Sequence, residues 1–183
     1  MTDQPTSRPD VPKTFRSGPS DPIAFADGPG TYVEIDIAAS PAAVWGLVTD
    51  INMPAEYSTE FKHAEWTGPD RGLGSTFLGS NENSTIGEWT LTNVVDRFEE
   101  ERVFGWATVD ADNPGARWWF TLEPTPTGTH LRYDVSIGPG PSGLTFVIDS
   151  MPDKEPRIIS GRLREMYNSM QRTLDGIKER LEA

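Results

Sequence analysis

Residues 159–181 read ISGRLREMYNSMQRTLDGIKERL, and most of their apolar side chains recur at steps of three and four. This spacing lines one face of an α-helix, while Arg, Glu, Gln and Asp occupy the other face. No proline follows Pro156, so nothing interrupts the pattern. The sequence therefore predicts an amphipathic helix over at least 159–181, whose apolar face needs a surface to pack against.

A series of strand-like runs upstream predicts that surface. The run TYVEIDI (31–37) alternates apolar and polar side chains, as a half-buried strand does. Ser40 then stands at an N-cap position before Pro41, which indicates a short helix, and a second short helix or turn follows near Tyr57. Six more runs rich in aromatic and β-branched residues come next, separated by turns such as GPD, DADNPG and TPTG. We predict an α+β fold in which a seven-stranded antiparallel sheet curls around the C-terminal helix.

The first 30 residues differ from the rest in composition. They contain six of the 16 prolines and few large apolar side chains. Such a stretch cannot bury enough apolar surface to offset its ordering entropy. We expect residues 1–30 to form a flexible N-terminal tail and residues 31–183 to form one domain. The alternative for the tail is a partner-binding segment centred on PIAFADGP (22–29).

Composition argues against several classes of partner. The chain has 183 residues and a net charge of −12, and a surface this acidic repels nucleic acid and anionic lipid. No apolar run approaches the length of a membrane span, and no signal-peptide pattern opens the sequence, so we expect a cytoplasmic protein. The chain contains no cysteine, and its two histidines lack acidic neighbours at ligand spacing, so we expect neither a metal nor a cofactor.

Two motif-like stretches are better explained as turns. The stretch GPGPSG (138–143) spells a dinucleotide-binding fingerprint, but its two prolines remove backbone donors that a pyrophosphate would need. The stretch DADNPG (110–115) opens like a calcium loop, but Pro114 replaces one ligand and Thr121 stands where a bidentate Glu belongs.

The order of elements and several sequence segments resemble the START-like (SRPBCC) superfamily, whose members adopt the helix-grip fold. The resemblance covers residues 31–183 and is strongest to the polyketide cyclase/dehydrase and lipid-transport branch. It rests on the segments SPAAVWGLVTD, FKHAEWTG, GLGSTFLGSN, EWTLTNVV and RWWFTLEPTPTGTHL. It implies a cavity between sheet and helix rather than a shared set of catalytic residues, because members include lipid carriers, metabolite binders and aromatase/cyclases.

Side-chain parity predicts which residues face such a cavity. Residues of one parity share a face of a strand, so the parity that places Trp89 and Val95 inside also places Asn93 inside. The predicted site is walled by Phe77, Trp89, Trp106, Trp118, Phe120, Met166 and Met170, with polar contacts from Asn81, Asn93 and Tyr133, and with Tyr57 near the entrance. Each aromatic side chain taken singly is better explained as core. The amides and the phenol are harder to explain in that way, because a buried polar group needs a hydrogen-bond partner.

These residues support two classes of function. The first is binding of a hydrophobic small molecule, such as a lipid, a polyketide or an aromatic metabolite, by a monomer or homodimer. The second is an enzyme like the polyketide aromatase/cyclases, which needs a general acid or base inside the cavity. The residues predicted to face inward include amides and a phenol but no carboxylate or guanidinium, because Glu88 and Arg117 have the opposite parity. Binding is therefore favoured over catalysis. A third class, a partner-binding protein whose cavity is vestigial, stays open.

Overall fold

The computed structural model describes residues 23–84 and 87–183, and its core is a seven-stranded antiparallel sheet facing one long helix. The strand order across the sheet is β1-β7-β6-β5-β4-β3-β2. The strands are β1 Gly30–Ile37, β2 Phe61–Trp66, β3 Thr76–Asn83, β4 Gly87–Glu99, β5 Val103–Thr108, β6 Ala116–Thr125 and β7 Gly128–Ile137. The helices are α1 Pro41–Val48, a 3₁₀ helix Met53–Glu56, α2 Gly143–Ser150 and α3 Glu155–Glu182, with 3₁₀ turns at Phe25–Asp27 and Pro152–Lys154.

Both edges of the sheet are tied to α3. At the β1 edge, Lys178 Nζ donates to the carbonyl oxygen of Asp36 at 2.6 Å, and the N–H of Ala38 donates to Glu182 Oε1 at 2.8 Å. At the β2 edge, Arg162 of α3 pairs with Glu60, the residue before β2. These contacts lie 16 to 20 residues apart on α3, so the helix spans the sheet from one edge to the other. The predicted fold, including the two short helices after β1, is confirmed.

The apolar face of α3 is buried as its spacing predicts. Its fully or almost fully buried apolar residues are Ile159, Leu163, Met166, Met170, Leu174 and Ile177. Among the described residues, no helix is long and apolar enough to cross a membrane. The helix extends four residues before the predicted minimum, because Pro156 is accepted in its first turn.

The helix α1 begins where the N-cap signal predicts it. Ser40 Oγ accepts a hydrogen bond from the N–H of Ala43 at 3.3 Å, and Pro41 occupies the first helical position. Trp45 packs edge-on against Phe98 and Phe104, with ring centroids 5.4 and 6.3 Å away. This contact holds α1 over one end of the concave face.

The segment after β7 differs from expectation. GPGPSG does form an irregular connection, but the residues that follow it fold into α2, which the sequence did not predict. This helix has only eight residues and is flanked by Gly, Pro and Ser, so its pattern is too short to show helical periodicity.

The described end of the predicted tail contacts the domain. Residues 1–22 lie outside the described residues. The N–H of Phe25 donates to Glu155 Oε1 at 2.7 Å, and its ring lies against Gly138, where a β-carbon would clash with it. Residues 23–29 therefore pack beside the start of α3, and β1 begins at Gly30.

Candidate functional site

The concave face of the sheet, which is turned towards α3, carries the strand residues that parity predicts for a site. Eight of them occupy directly opposed positions on neighbouring strands, as the pairs Asn81–Trp89, Phe77–Asn93, Trp106–Trp118 and Phe120–Tyr133. Opposed residues of an antiparallel ladder point to the same side of the sheet. The fold thus brings these residues onto one surface.

Aromatic rings form a continuous row along this surface, from β2 to β7. Neighbouring ring centroids along the row lie between 4.0 and 6.3 Å apart, a range in which aromatic pairs attract one another. We call this the aromatic row; it consists of Trp66, Phe77, Trp106, Phe120, Tyr133 and Trp118. The sequence prediction missed Trp66, although it shares a parity with the buried Ala64 on β2.

The rings of the aromatic row differ in how far they are buried. Phe77, Phe120 and Tyr133 are at most 3% exposed. Trp106 and Trp118 are only half-buried, although they lie in the middle of the sheet. The two indole rings therefore keep some exposure on the concave face, beside rings that are fully packed. We use the term groove for the region between the concave face and α3.

The two predicted amides flank a gap in this surface at Gly79. Asn93 is 5% exposed, and its Nδ2 donates to the carbonyl oxygen of Leu91 at 3.2 Å. Asn81 is half-buried, and its Nδ2 donates to the carbonyl oxygen of Gly79 at 3.2 Å. A β-carbon on Gly79 would stand 3.0 Å from Asn93 Nδ2 and 3.2 Å from Phe61 Cε2, so the missing side chain makes room for both.

Tyr133 is the most buried polar side chain of the aromatic row. Its ring stacks on Phe120 with centroids 4.0 Å apart, and burial raises the pKa of its phenol above the ordinary value. Within the described residues no hydrogen bond or charge opposes that effect. The phenol is therefore protonated at neutral pH and is available as a hydrogen-bond donor.

The two predicted methionines lie on the side of α3 that packs towards the sheet. Met166 and Met170 are 8% and 1% exposed and belong to the same core cluster as Phe77, Phe120 and Tyr133. Methionine side chains are flexible, so they can fill irregular space or adapt to a second molecule.

Tyr57 lies at the junction of the 3₁₀ helix and α3. Its ring occupies the space that a β-carbon on Gly176 would need, and its carbonyl oxygen accepts a hydrogen bond from Arg172 Nε at 3.0 Å. These contacts place Tyr57 in the packing between helices, beside the groove. Its predicted place at the entrance stays a prediction.

An ion pair joins α3 to the β2 edge. Arg162 Nη2 lies 2.6 Å from Glu60 Oε1 and Nη1 lies 2.9 Å from Oε2, while Asn83 Nδ2 donates to the same Oε2 at 3.1 Å. Burial alone would raise the pKa of the Glu60 carboxyl, but Arg162 outweighs burial and holds that pKa below its usual range. We call Glu60 and Arg162 the rim pair. Sequence reasoning missed it, because 102 positions separate the partners and no local pattern links them.

A cleft open to solvent lies where the ends of β3 and β4 meet the start of β2. It has a volume of about 500 Å³ and is lined by Lys62, Ser80, Asn81, Glu82, Glu88, Trp89 and Thr90. Ser80, Glu82, Glu88 and Thr90 alternate with the opposed pair Asn81–Trp89 along β3 and β4, so most of this cleft lies on the convex side of the sheet.

Charged side chains of the central strands lie on the convex face instead. Arg117 pairs with Asp96, and Arg132 holds the buried Asp134 through a fork of hydrogen bonds of 2.6–3.0 Å. A bulge in β4 after Val95 keeps both Asp96 and Arg97 on this side. Among the described residues, no three His, Cys, Asp or Glu side chains lie close enough together to hold a metal ion.

Comparison with known proteins matches this architecture. The family model described as polyketide cyclase/dehydrase and lipid transport matches residues 30–182. No curated protein matches the chain. A polyketide cyclase-like protein from Corynebacterium glutamicum is 29% identical, with a TM-score of 0.60 over 84% of this chain and 91% of that one.

More distant structures share the fold alone. A Thermus thermophilus protein is 15% identical, with a TM-score of 0.56 over 84% of this chain and 97% of that one. The di-domain aromatase/cyclase StfQ of the steffimycin biosynthetic pathway is 12% identical, with a TM-score of 0.64. The match covers 84% of this chain but 50% of StfQ.

Proposed function

The chain belongs to the polyketide cyclase/dehydrase and lipid transport family, and from this membership we propose that it binds a hydrophobic small molecule in the groove between the concave sheet face and α3. The candidate ligands are lipids, polyketides and aromatic metabolites. The observation that carries the proposal is the aromatic row, whose rings lie 4.0–6.3 Å apart. Its half-exposed tryptophans lie where a core would be expected to close completely.

The polar groups of the groove support binding of a molecule with a few polar atoms. Asn81, Asn93 and the protonated phenol of Tyr133 can donate to a carbonyl or hydroxyl oxygen. Mostly apolar walls with few convergent polar groups are typical of small-molecule pockets. The proposed site keeps the predicted set, with Trp66 added to the aromatic wall.

The side chains on the concave face favour ligand binding over catalysis. An aromatase/cyclase-like reaction needs a general acid or base at the substrate. The titratable side chains of the central strands, such as Asp96, Arg117 and Asp134, lie on the convex face. The proposal takes the protein as a cytoplasmic monomer or homodimer that acts on a small molecule and not on nucleic acid, in keeping with its charge of −12.

Native mass spectrometry of the purified protein tests the proposal directly. We expect a hydrophobic molecule to copurify, or a neutral apolar dye such as N-phenylnaphthylamine to bind at one site per chain. Trp106→Ala should weaken dye binding, whereas Trp119→Phe on the convex face should not. Dye affinity that is equal in both variants would place the site elsewhere.

A further inference from the structure

The two surfaces that enclose the groove carry no charge in the part of the chain that the structure describes. The concave face presents aromatic, aliphatic, amide and hydroxyl side chains, and the helix presents Leu163, Met166 and Met170. Transfer of an unpaired carboxylate or sulfonate into such a space is costly. A cation at the rim of the groove would offset this cost most strongly.

Arg162 is such a cation. It directly precedes Leu163 on α3 and lies one helical turn before Met166, on the flank that faces β2. Its partner Glu60 directly precedes Phe61, which is paired with Asn81 on the concave face. Both side chains of the rim pair are about three-quarters buried, with exposed fractions of 27% and 23%. An ion near this position would meet Arg162 at short range in partly desolvated surroundings.

Glu60 already forms an ion pair with this guanidinium. Its two oxygens take one hydrogen bond each from Nη1 and Nη2, at 2.9 and 2.6 Å, in the fork arrangement that a ligand carboxylate would otherwise use. Asn83 orients the carboxylate through a hydrogen bond of 3.1 Å, so the geometry is fixed from two elements. Glu165 also reaches Nη1 at 3.3 Å, but it is 72% exposed.

We propose that Glu60 determines the charge preference of the groove: by occupying the guanidinium of Arg162, it restricts the site to uncharged apolar molecules and excludes carboxylates and sulfonates. This inference rests on the proposed function. It assigns ligand selection to a residue outside the aromatic row. The net charge of −12 acts in the same direction, because it repels anions before they reach the rim.

A matched pair of dyes tests the inference in the full-length protein. N-phenylnaphthylamine is neutral, and anilinonaphthalenesulfonate has the same aromatic skeleton with one sulfonate added. We expect the wild type to bind the neutral dye about tenfold more tightly than the sulfonate dye. This ratio corresponds to about one charge-assisted hydrogen bond that the sulfonate cannot make. In Glu60→Gln the sulfonate dye should gain about tenfold in affinity, while the neutral dye stays within about twofold.

Two further variants identify the cause of any change. Glu60→Gln/Arg162→Gln keeps the shape of the pair without its charges, so the gain for the sulfonate dye should disappear. Glu165→Gln removes an acidic group that touches the same guanidinium from an exposed position, and it should leave both affinities unchanged. Thermal melting of each variant shows that it is folded.

The outcomes separate the inference from the proposed function. A wild type that binds the sulfonate dye as tightly as the neutral one, or a folded Glu60→Gln that keeps the wild-type preference, would overturn the inference and leave the proposed function standing. If Glu60→Gln does not fold, the comparison of the two dyes in the wild type still decides it, because equal affinities would overturn the inference. Binding of neither dye would contradict the proposed function itself.

Discussion

The amide nitrogen of Asn93 lies 3.0 Å from the point that a β-carbon on Gly79 would occupy. The concave face therefore depends on a missing side chain at this position. Gly79→Ala should push Asn93 or Phe61 aside and cost about 1 kcal/mol of stability, in spite of the lower chain entropy of alanine. Urea denaturation measures the change, and affinity for a neutral dye should fall with it.

Gly46 provides the matched control for that substitution. It lies on α1, and a β-carbon there would meet nothing within 4 Å. Gly46→Ala should stabilise the protein by about 0.5–1 kcal/mol, because it improves helix propensity without a new contact. If both alanine variants were equally stable, the close approach at Gly79 would be without energetic consequence.

Two glycines of α3 should respond to alanine in opposite directions. A β-carbon on Gly176 would overlap the Tyr57 ring, whereas one on Gly161 would meet nothing within 4 Å. Gly176→Ala should lose about 1–3 kcal/mol through overpacking. Gly161→Ala should gain about 0.5–1 kcal/mol from helix propensity. Melting curves of the two variants, recorded side by side, provide the comparison.

A second substitution tests the cause of the Gly176 effect. Tyr57→Leu removes the outer ring atoms and the hydroxyl, which are the atoms that the new β-carbon would meet. The combination with Gly176→Ala should therefore be less destabilised than the sum of the two single variants. Strict additivity would show that Tyr57 is not the obstacle.

The Gly176 contact and the rim pair show what the sequence can and cannot predict. Periodicity over 159–181 identifies α3, and strand parity identifies the concave face, because both follow from side-chain direction along one element. The contacts Tyr57–Gly176 and Glu60–Arg162 join residues more than 100 positions apart, so they depend on how α3 packs against the rest of the fold. From the sequence alone, Gly176 is only a weak point in a helix; in the fold it makes room for a ring.

The contribution of the rim pair to stability should depend on pH. Arg162 lowers the pKa of Glu60 below the reference value of 4.5, so the folded protein binds this proton less readily than the unfolded chain. The stabilisation is complete above about pH 4.5 and is lost as pH falls through the lower, folded pKa. Glu60→Gln should thus cost about 1–3 kcal/mol at neutral pH and much less at about pH 3.

Denaturant titrations at the two pH values measure this difference. Glu165→Gln serves as the control, because it removes the same charge from an exposed position near Arg162. A deficit in Glu60→Gln that is as large in acid as at neutral pH would show that packing, and not the ion pair, causes it.

Asn93→Leu should separate ligand polarity from ligand size. The substitution removes a buried amide that is 5% exposed, so the empty protein should keep its stability or gain up to about 1 kcal/mol. Binding of a ligand with a carbonyl or hydroxyl group should weaken more than binding of a hydrocarbon of similar size. Calorimetry with a matched ligand pair, such as naphthalene and naphthol, tests this. Equal losses for both would remove Asn93 from the list of polar contacts.

The most direct test of a ligand in the groove is the shift of tryptophan indole NMR signals during titration with N-phenylnaphthylamine. Trp106 and Trp118 form opposed positions on the concave face, whereas Trp119 lies on the convex face beneath the guanidinium of Arg97, 4.2 Å from its ring centroid. Binding in the groove predicts large shifts for Trp106 and Trp118 and an unchanged signal for Trp119. A shift confined to Trp119, or six signals that do not move while the dye binds, would contradict a site between the sheet and α3.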